Sequence, residues 1–402
     1  MPRTLFANAT VFDGTGAAPA KGDVVVEAGR VIDVGLGLDG DEIIDLSGTT
    51  LLPGFFDCHV HFVMNTLDRL VIAQRPFSYQ FYVAEQNMRR TLDVGITSVR
   101  DAGGADLGIA QAQVEGLIAG PRTQIALSMI SQTGGHGDDW MPSGCHLPLM
   151  QPHPGRPAAI VDGPDQMRRT ARELIRDGAT VLKVATSGGV LSPRDDPRHG
   201  HFRDAEISVL VEEATAAGRF VMAHAQGTDG IKVAVRSGVR SIEHGIYLDD
   251  EAIEMMLERG TWLVPTLTAP RAVIEAVDAG VPLPASVVEK ARMVVEVHTE
   301  SVRRAIEAGV RIAMGTDSGV GRHGENLREL QMMAECGMDP LAVLHATTGS
   351  AARLLGVDAD RGTIEPGRRA DLVVIDGDAR ELGGLRERVR AVYQDGTLVA
   401  GG

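Results

Sequence analysis

Residues 175–185 read IRDGATVLKVA, and the division of that run decides the fold. A charged, helix-period stretch stops at Gly178, and an apolar, β-branched strand follows at once. Glycine just past a helix end supplies the left-handed backbone that other residues resist. The same punctuation recurs in LDVGITSVRD (92–101), AAGRFVMAHA (216–225), RSGVRSIEHG (236–245), ERGTWLVPT (258–266) and EAGVRIAMGTD (307–317). Gly95, Gly218, Gly238, Gly260 and Gly309 take the capping place in them. FFDCHVHF (55–62) and TQIALSMIS (123–131) bring the candidate strands to eight. Eight strand–helix units across residues 53–362 predict an α/β fold, a (β/α)8 TIM barrel. An open doubly wound sheet is the competing arrangement, but the first strand lacks the glycine-rich phosphate turn of that class.

The flanks have a different rhythm. TLFANATVF, GDVVVEAGRVIDVG and EIIDL lie within residues 1–52, and ADLVVID and RAVYQDGTLVA within 363–402. These short alternating segments read as strands, with Asp395-Gly396 as a hairpin turn. Both chain ends are expected to build one small β-sandwich, with the catalytic barrel of residues 53–362 inserted between them.

Composition narrows the partners. The 402 residues are 44% hydrophobic and 23% charged, with a net charge of −15. That balance argues against nucleic acid or an anionic membrane as partner. No apolar run approaches the roughly 18 residues of a membrane span. The N-terminus alternates like a strand and lacks a signal peptide's apolar core. Cys58, Cys145 and Cys336 form no disulfide framework and share no metal-like spacing. The expected compartment is the cytoplasm.

The unusual polar residues share one position. Lys183 lies five residues after Gly178, His224 six after Gly218, His244 six after Gly238 and Asp317 eight after Gly309. All four fall at the C-terminal ends of their strands, the rim that carries active sites in such barrels. His59 and His61 are two apart, so both point to the same side of the first strand. Cys58 has the opposite phase and should face the helices as a core thiol.

This set suits two divalent metals. Imidazole and carboxylate serve Zn²⁺ and equally Co²⁺, Mn²⁺ or Fe²⁺. Two ions about 3.5–4 Å apart need a bridging anion. Lysine can become one: burial beside cations lowers its pKa, and the neutral amine adds CO2 to form a carbamate. Only four of the 39 Lys and Arg residues are lysines, yet Lys183 sits inside an apolar strand. Arginine, always protonated, could not do this. Two rival readings are a Schiff-base lyase acting through Lys183 and a barrel that has lost catalysis.

At this point the residues resemble a known family. PGFFDCHVHF, the strand-end His224 and His244, GTDSG and GTIEPGRRADLVVID are similar to the amidohydrolase superfamily of metal-dependent hydrolases, across essentially the whole chain. The resemblance implies that His59, His61 and Asp317 hold one metal and His224 and His244 the other. Carboxylated Lys183 would bridge them. SQTGGHGD (131–138), SGGVLSPRDDP (187–197), EHGIYLDDEA (243–252) and HGENLREL (323–330) resemble the Xaa-Pro dipeptidase or prolidase-like subgroup. Its members cleave dipeptides, N-acyl amino acids or other amides such as ochratoxin, and commonly form homo-oligomers. The expected partner is therefore a small amide or dipeptide.

Two metals acidify a bridging water, and Asp317 would take its proton and pass it to the leaving nitrogen. His136 and Tyr247 are the candidates to steady the oxyanion, chiefly on the resemblance. Arg203 replaces the Ser or Thr usual after the phenylalanine of that loop, and reads as a surface change or a contact to the substrate carboxylate. Arg100 and Asp101 are expected to brace the rim. His146, His153, His199 and His201 are expected in exposed loops, and His298 and His345 in helices. His323, just past the eighth strand, is a candidate pocket residue.

Overall fold

Alternating side chains set the first strands, and turn residues end them. The computed structural model describes residues 2–401. It begins with β1 (Thr4–Val11), β2 (Ala20–Glu27), β3 (Arg30–Gly35), β4 (Glu42–Asp45) and β5 (Thr49–Pro53). Then come β6 (Phe55–Val60), β7 (Ile96–Asp101), β8 (Arg122–Ile125), β9 (Met129–Ile130), β10 (Leu182–Ala185), β11 (Val221–Ala225), β12 (Ser241–His244) and β13 (Trp262–Val264). The last three are β14 (Leu372–Asp376), β15 (Val389–Gln394) and β16 (Thr397–Gly401).

Both ends of the chain enter one eight-stranded sheet, ordered β16-β15-β14-β5-β1-β2-β3 with β4 beside β1. β14 runs antiparallel to β5, with Leu372 opposite Pro53 and Asp376 opposite Thr49. Alternation gives this sheet two buried faces. Leu372 and Val374 pack with Phe6, Val24 and Tyr393, while Val373 and Ile375 join the main core. Asp395 and Gly396 turn β15 into β16 with φ of +47° and +71°, as the Asp-Gly pair requires.

The middle of the chain forms parallel ladders, β6-β7-β8 and β9-β10-β11-β12-β13, with helices packed outside. All six punctuating glycines have positive φ, from +64° at Gly260 to +106° at Gly178. Leu182 and Val184 are fully buried around Lys183. Burial of each stabilises by about 1.5–3 kcal/mol and anchors the strand that presents the lysine.

Two expected strands differ in detail. TQIALSMIS is broken at Leu127 (φ +65°), so β8 pairs with β7 and β9 with β10. EAGVRIAMGTD makes no regular strand, although its backbone is bonded on both sides. Leu263 N donates to Arg311 O at 2.8 Å, and Asp317 N donates to His59 O at 2.7 Å. The ladder is interrupted because Met314 N turns to Ala346 O, and the Asp57 carboxylate takes Thr316 N. No helix among the described residues is long and apolar enough to cross a membrane.

Candidate active site and metal centre

The strand ends bring the histidines into an arc. Ring centroids are 5.5 Å apart for His61–His59, 5.2 Å for His59–His244, 4.6 Å for His244–His224 and 4.1 Å for His224–His136. Lys183 and Asp317 line the same cavity, which holds about 420 Å³. Asp317 Oδ1 lies 3.1 Å from His61 Nε2 and 3.5 Å from His59 Nε2. His59, His244 and Asp317 each offer an atom within 4.8 Å of the others, so this tightest trio takes a histidine from each expected metal set.

Local backbone explains how neighbours on one strand both reach the site. His244 (φ +73°) and Asp317 (φ +60°) sit in the left-handed region, which costs of order 1–3 kcal/mol for such residues. The twist at His244 breaks strand alternation, so Glu243 and His244 both point inward. Glu243 therefore sits beneath the arc. Its Oε2 accepts from His59 Nδ1 at 2.8 Å, and its Oε1 accepts from Arg100 Nη2 at 2.8 Å and Ser241 Oγ at 2.5 Å. Arg100 is thus an interior brace, donating also to Cys58 O. Asp101 takes the rim part, accepting from Phe62 N and Gly103 N.

The remaining imidazoles are held in the same manner. His61 Nδ1 bonds Gly103 O at 2.7 Å, and His244 Nδ1 bonds Thr266 Oγ1 at 2.6 Å. Each of these histidines keeps Nε2 for the site. His224 is reversed, with Nε2 3.1 Å from Gly188 O.

His136 is fixed from the loop 188–196. Its Nδ1 lies 2.8 Å from Ser192 Oγ and 3.6 Å from Asp195 Oδ2. Ser192 donates in turn to Asp195 Oδ1, so it accepts from His136. The Asp195 carboxylate stands beside the His136 ring and holds its orientation through Ser192. Lys290, in the helix Ala285–Ala308, grips this loop: its Nζ donates to Gly189 O at 2.6 Å, to Ser192 O, and to Asp195 Oδ1 at 3.2 Å. Burial pushes the Asp195 carboxyl up, but His136, Ser192 and Lys290 outweigh it and bring it to about 2.

Other expected residues lie elsewhere. Tyr247 does not line the cavity: after the left-handed turn at His244 and Gly245, its backbone is tied to Gln226 O and Thr228 Oγ1 beyond the rim. Arg203 is exposed and helps cap the helix Asp204–Ala216. His323 is buried against Phe62 and Thr91, outside the cavity. His199 and His146 are exposed as expected, His146 also lining the cavity, whereas His153 is half-buried against Phe77 and His201 is buried, with His201 N bonded to Thr186 O. His298 bonds His244 O, and His345 bonds Gly14 O. Cys58 packs against Ala351 and Leu354 of the helix Gly349–Leu355.

Residues 50–401 match the sequence model of the amidohydrolase family. The chain belongs to the amidohydrolase family. It is 37% identical to an ochratoxinase of Aspergillus niger over 348 residues, 82% of this chain and 71% of that one. It is similar in structure to a Xaa-Pro dipeptidase with methionine bound in its active site, with TM-score 0.90, 33% identity, and 99% and 100% of the two chains covered. A prolidase complexed with N-methylphosphonate-L-proline superposes equally, with TM-score 0.90 and 36% identity over 99% of each chain. This amidohydrolase acts on amide or peptide bonds.

The amidohydrolase donor set fits divalent metals. Burial holds His59, His224 and His244 well below the usual imidazole pKa, so they are neutral ligands. Burial likewise lowers Lys183 to about 8. Lys183 Nζ and Asp317 Oδ1 are buried and make no hydrogen bond. Unpaired polar atoms of this kind are costly unless a further group completes them.

Proposed function

We propose that this amidohydrolase cleaves dipeptides or N-acyl amino acids at a two-metal centre held by His59, His61, Lys183, His224, His244 and Asp317, with Lys183 as a carbamate. One observation carries this reading: neutral imidazoles form one arc beside the unpaired Lys183 Nζ and Asp317 Oδ1, at one end of a cavity. Zinc is the first choice of metal, with Co, Mn or Fe compatible with the same donors. When bound, two divalent ions supply Lewis acidity, polarising a carbonyl and acidifying water.

The protein's own groups complete the chemistry. Asp317 Oδ1 accepts a proton from the attacking water and returns it to the leaving nitrogen, which departs poorly as an anion. His136 donates to the developing oxyanion, oriented by Ser192 and Asp195. Tyr247 stays outside that role because it does not line the cavity. Glu243 keeps the His59 proton on Nδ1, with Arg100 behind it.

A second reading is an aromatic amide of the ochratoxin type. It is favoured by the relative at 37% identity and by apolar walls that include Met129, Leu149, Ile160 and Val273. The Schiff-base reading of Lys183 finds no support in the family. The setting we propose is a closed (β/α)8 barrel over residues 53–362 carrying a small β-sandwich of residues 1–52 and 363–402. We place the protein in the cytoplasm, in keeping with its three free cysteines, and as a homo-oligomer, by analogy with relatives.

The test is amino-acid release by zinc-loaded enzyme with bicarbonate, across dipeptides, N-acyl amino acids and aromatic amides. Release grouped on one C-terminal residue supports the first reading, and turnover of aromatic amides alone supports the second. Silence from metal-loaded enzyme on every amide overturns both.

A further inference from the structure

Arg156 stands out on the cavity wall. It lies between β9 and the helix Pro164–Arg176 and is only 7% exposed. Its Nη2 donates to Gln80 Oε1, while Nε and Nη1 are buried with no partner at all. Gln80 is neutral, and its own amide nitrogen is spent on Phe77 O. Among the described residues, no carboxylate comes within the 4.0 Å of an ion pair with this guanidinium. Asp101 and Asp106 act on it only from farther away. Burial brings the group down to about 10, so it remains charged at neutral pH.

The contrast with other arginines is sharp. Arg69, which lines the same cavity, is satisfied by the Asp139 carboxylate and Leu147 O. Arg100, deeper in the protein, is paired with Glu243. A buried charge without a counter-ion is strongly destabilising; Arg100, the other fully buried arginine among the described residues, is paired, and Arg156 is left open. The open donors belong to a residue that lines the substrate cavity, where a ligand can supply the missing anion.

We infer that Arg156 is an anion subsite of this cavity and binds a free carboxylate of the substrate. The enzyme then selects amides that carry a carboxylate, whether dipeptide, N-acyl amino acid or aromatic amide, over their neutral carboxamides. The inference rests on the amide-hydrolase reading for its substrate, but its binding test does not. Guanidinium suits this task because it stays charged and presents several N–H donors to one carboxylate.

Two probes without an amide bond separate the issues: 3-phenylpropionate and neutral 3-phenylpropanol, titrated into zinc-loaded enzyme. Wild type should bind the anion at least about 30-fold more tightly, the size of a buried charge-assisted contact. Arg156→Met should erase that preference while leaving affinity for the alcohol unchanged, and Arg156→Lys should restore part of it. If the preference survives in Arg156→Met, the anion is held by the metals and the assignment fails. Equal losses for both probes mean a merely structural role and also overturn it. With substrates, kcat/KM for an N-benzoyl amino acid and its carboxamide should converge in Arg156→Met. If wild type hydrolyses both forms equally, the amide-hydrolase reading stands and the subsite falls. Arg156-dependent binding with no hydrolysis of any amide keeps the subsite and overturns the amide-hydrolase reading.

Discussion

His59 Nδ1 lies 2.8 Å from Glu243 Oε2, and the two side chains are 2% and 0% exposed. The carboxylate can only accept there, so the imidazole keeps its proton on Nδ1 and presents Nε2 to the site. Arg100 fixes the far side of Glu243, which makes a three-residue brace reaching from the protein interior to the proposed metals.

Glu243→Gln should keep the fold and weaken this brace. Metal affinity or kcat/KM should fall by about 10–100-fold, the usual cost of losing such an outer partner. Competition with a chelator measures it. Glu243→Ala should also lose about 3–5 kcal/mol of stability, because Arg100 is left as an unpaired buried charge.

Lys183 carries the second prediction. Enzyme prepared with carbon-13 bicarbonate and zinc should show a carbamate carbon signal that Lys183→Met lacks. The variant should also bind metal at least about 10-fold more weakly. A wild-type protein with full metal and activity but no carbamate signal would refute the bridging role.

The oxyanion candidates separate cleanly. His136→Gln should lower kcat by about 10²–10³, as for loss of one oxyanion donor. Tyr247→Phe should change kcat by less than about threefold, because Tyr247 does not line the cavity. Gly189→Ala should resemble the His136 variant, since its Cβ would overlap the His136 ring.

Lys290→Met removes the ammonium that gathers Gly189, Ser192 and Asp195. Asp195 would then be buried without its cation, and stability should fall by about 3–5 kcal/mol. Urea denaturation reads this directly, and a change below about 0.5 kcal/mol would show that the loop does not depend on Lys290.

His201 links stability to pH. Burial lowers its pKa from 6.5 to about 4, so the folded state resists a proton that the unfolded chain accepts. Its contribution is complete above about pH 6.5 and is lost as pH falls toward 4, on the order of 2 kcal/mol in all. Denaturation at pH 7 and pH 4.5 should show a smaller loss for His201→Asn than for wild type. Parallel losses would count against the assignment.

Much of the site was legible because its signals are local. A glycine at a helix end and a polar residue five to eight positions later place Lys183, His224, His244 and Asp317 at strand ends, whatever the rest of the chain does. Period-two alternation joins His59 to His61 and sends Cys58 to the helices. Glu243 left no such mark, since alternation predicts that it points away from His244, and only the left-handed backbone at His244 turns both inward. The scarcity of lysine was a usable sign for Lys290 as well as Lys183, but nothing in helical periodicity tells a core position from a clasp on a distant loop. The same holds for His201, where one bond to Thr186 O converts an expected exposed loop into a buried one.

The sequence by itself determined the strand–helix rhythm, the strand character of the two chain ends, and the residue types gathered at the strand ends. Periodicity and turn chemistry act over a few residues, so they can be read along the chain. Tertiary structure alone decided that Glu243 supports His59, that Lys290 holds the His136 loop, that Tyr247 stays outside the cavity, and that Arg156 is buried without a counter-ion. Each of those depends on contacts between segments tens to hundreds of residues apart, where burial and the presence or absence of a partner, rather than residue type, set the chemistry.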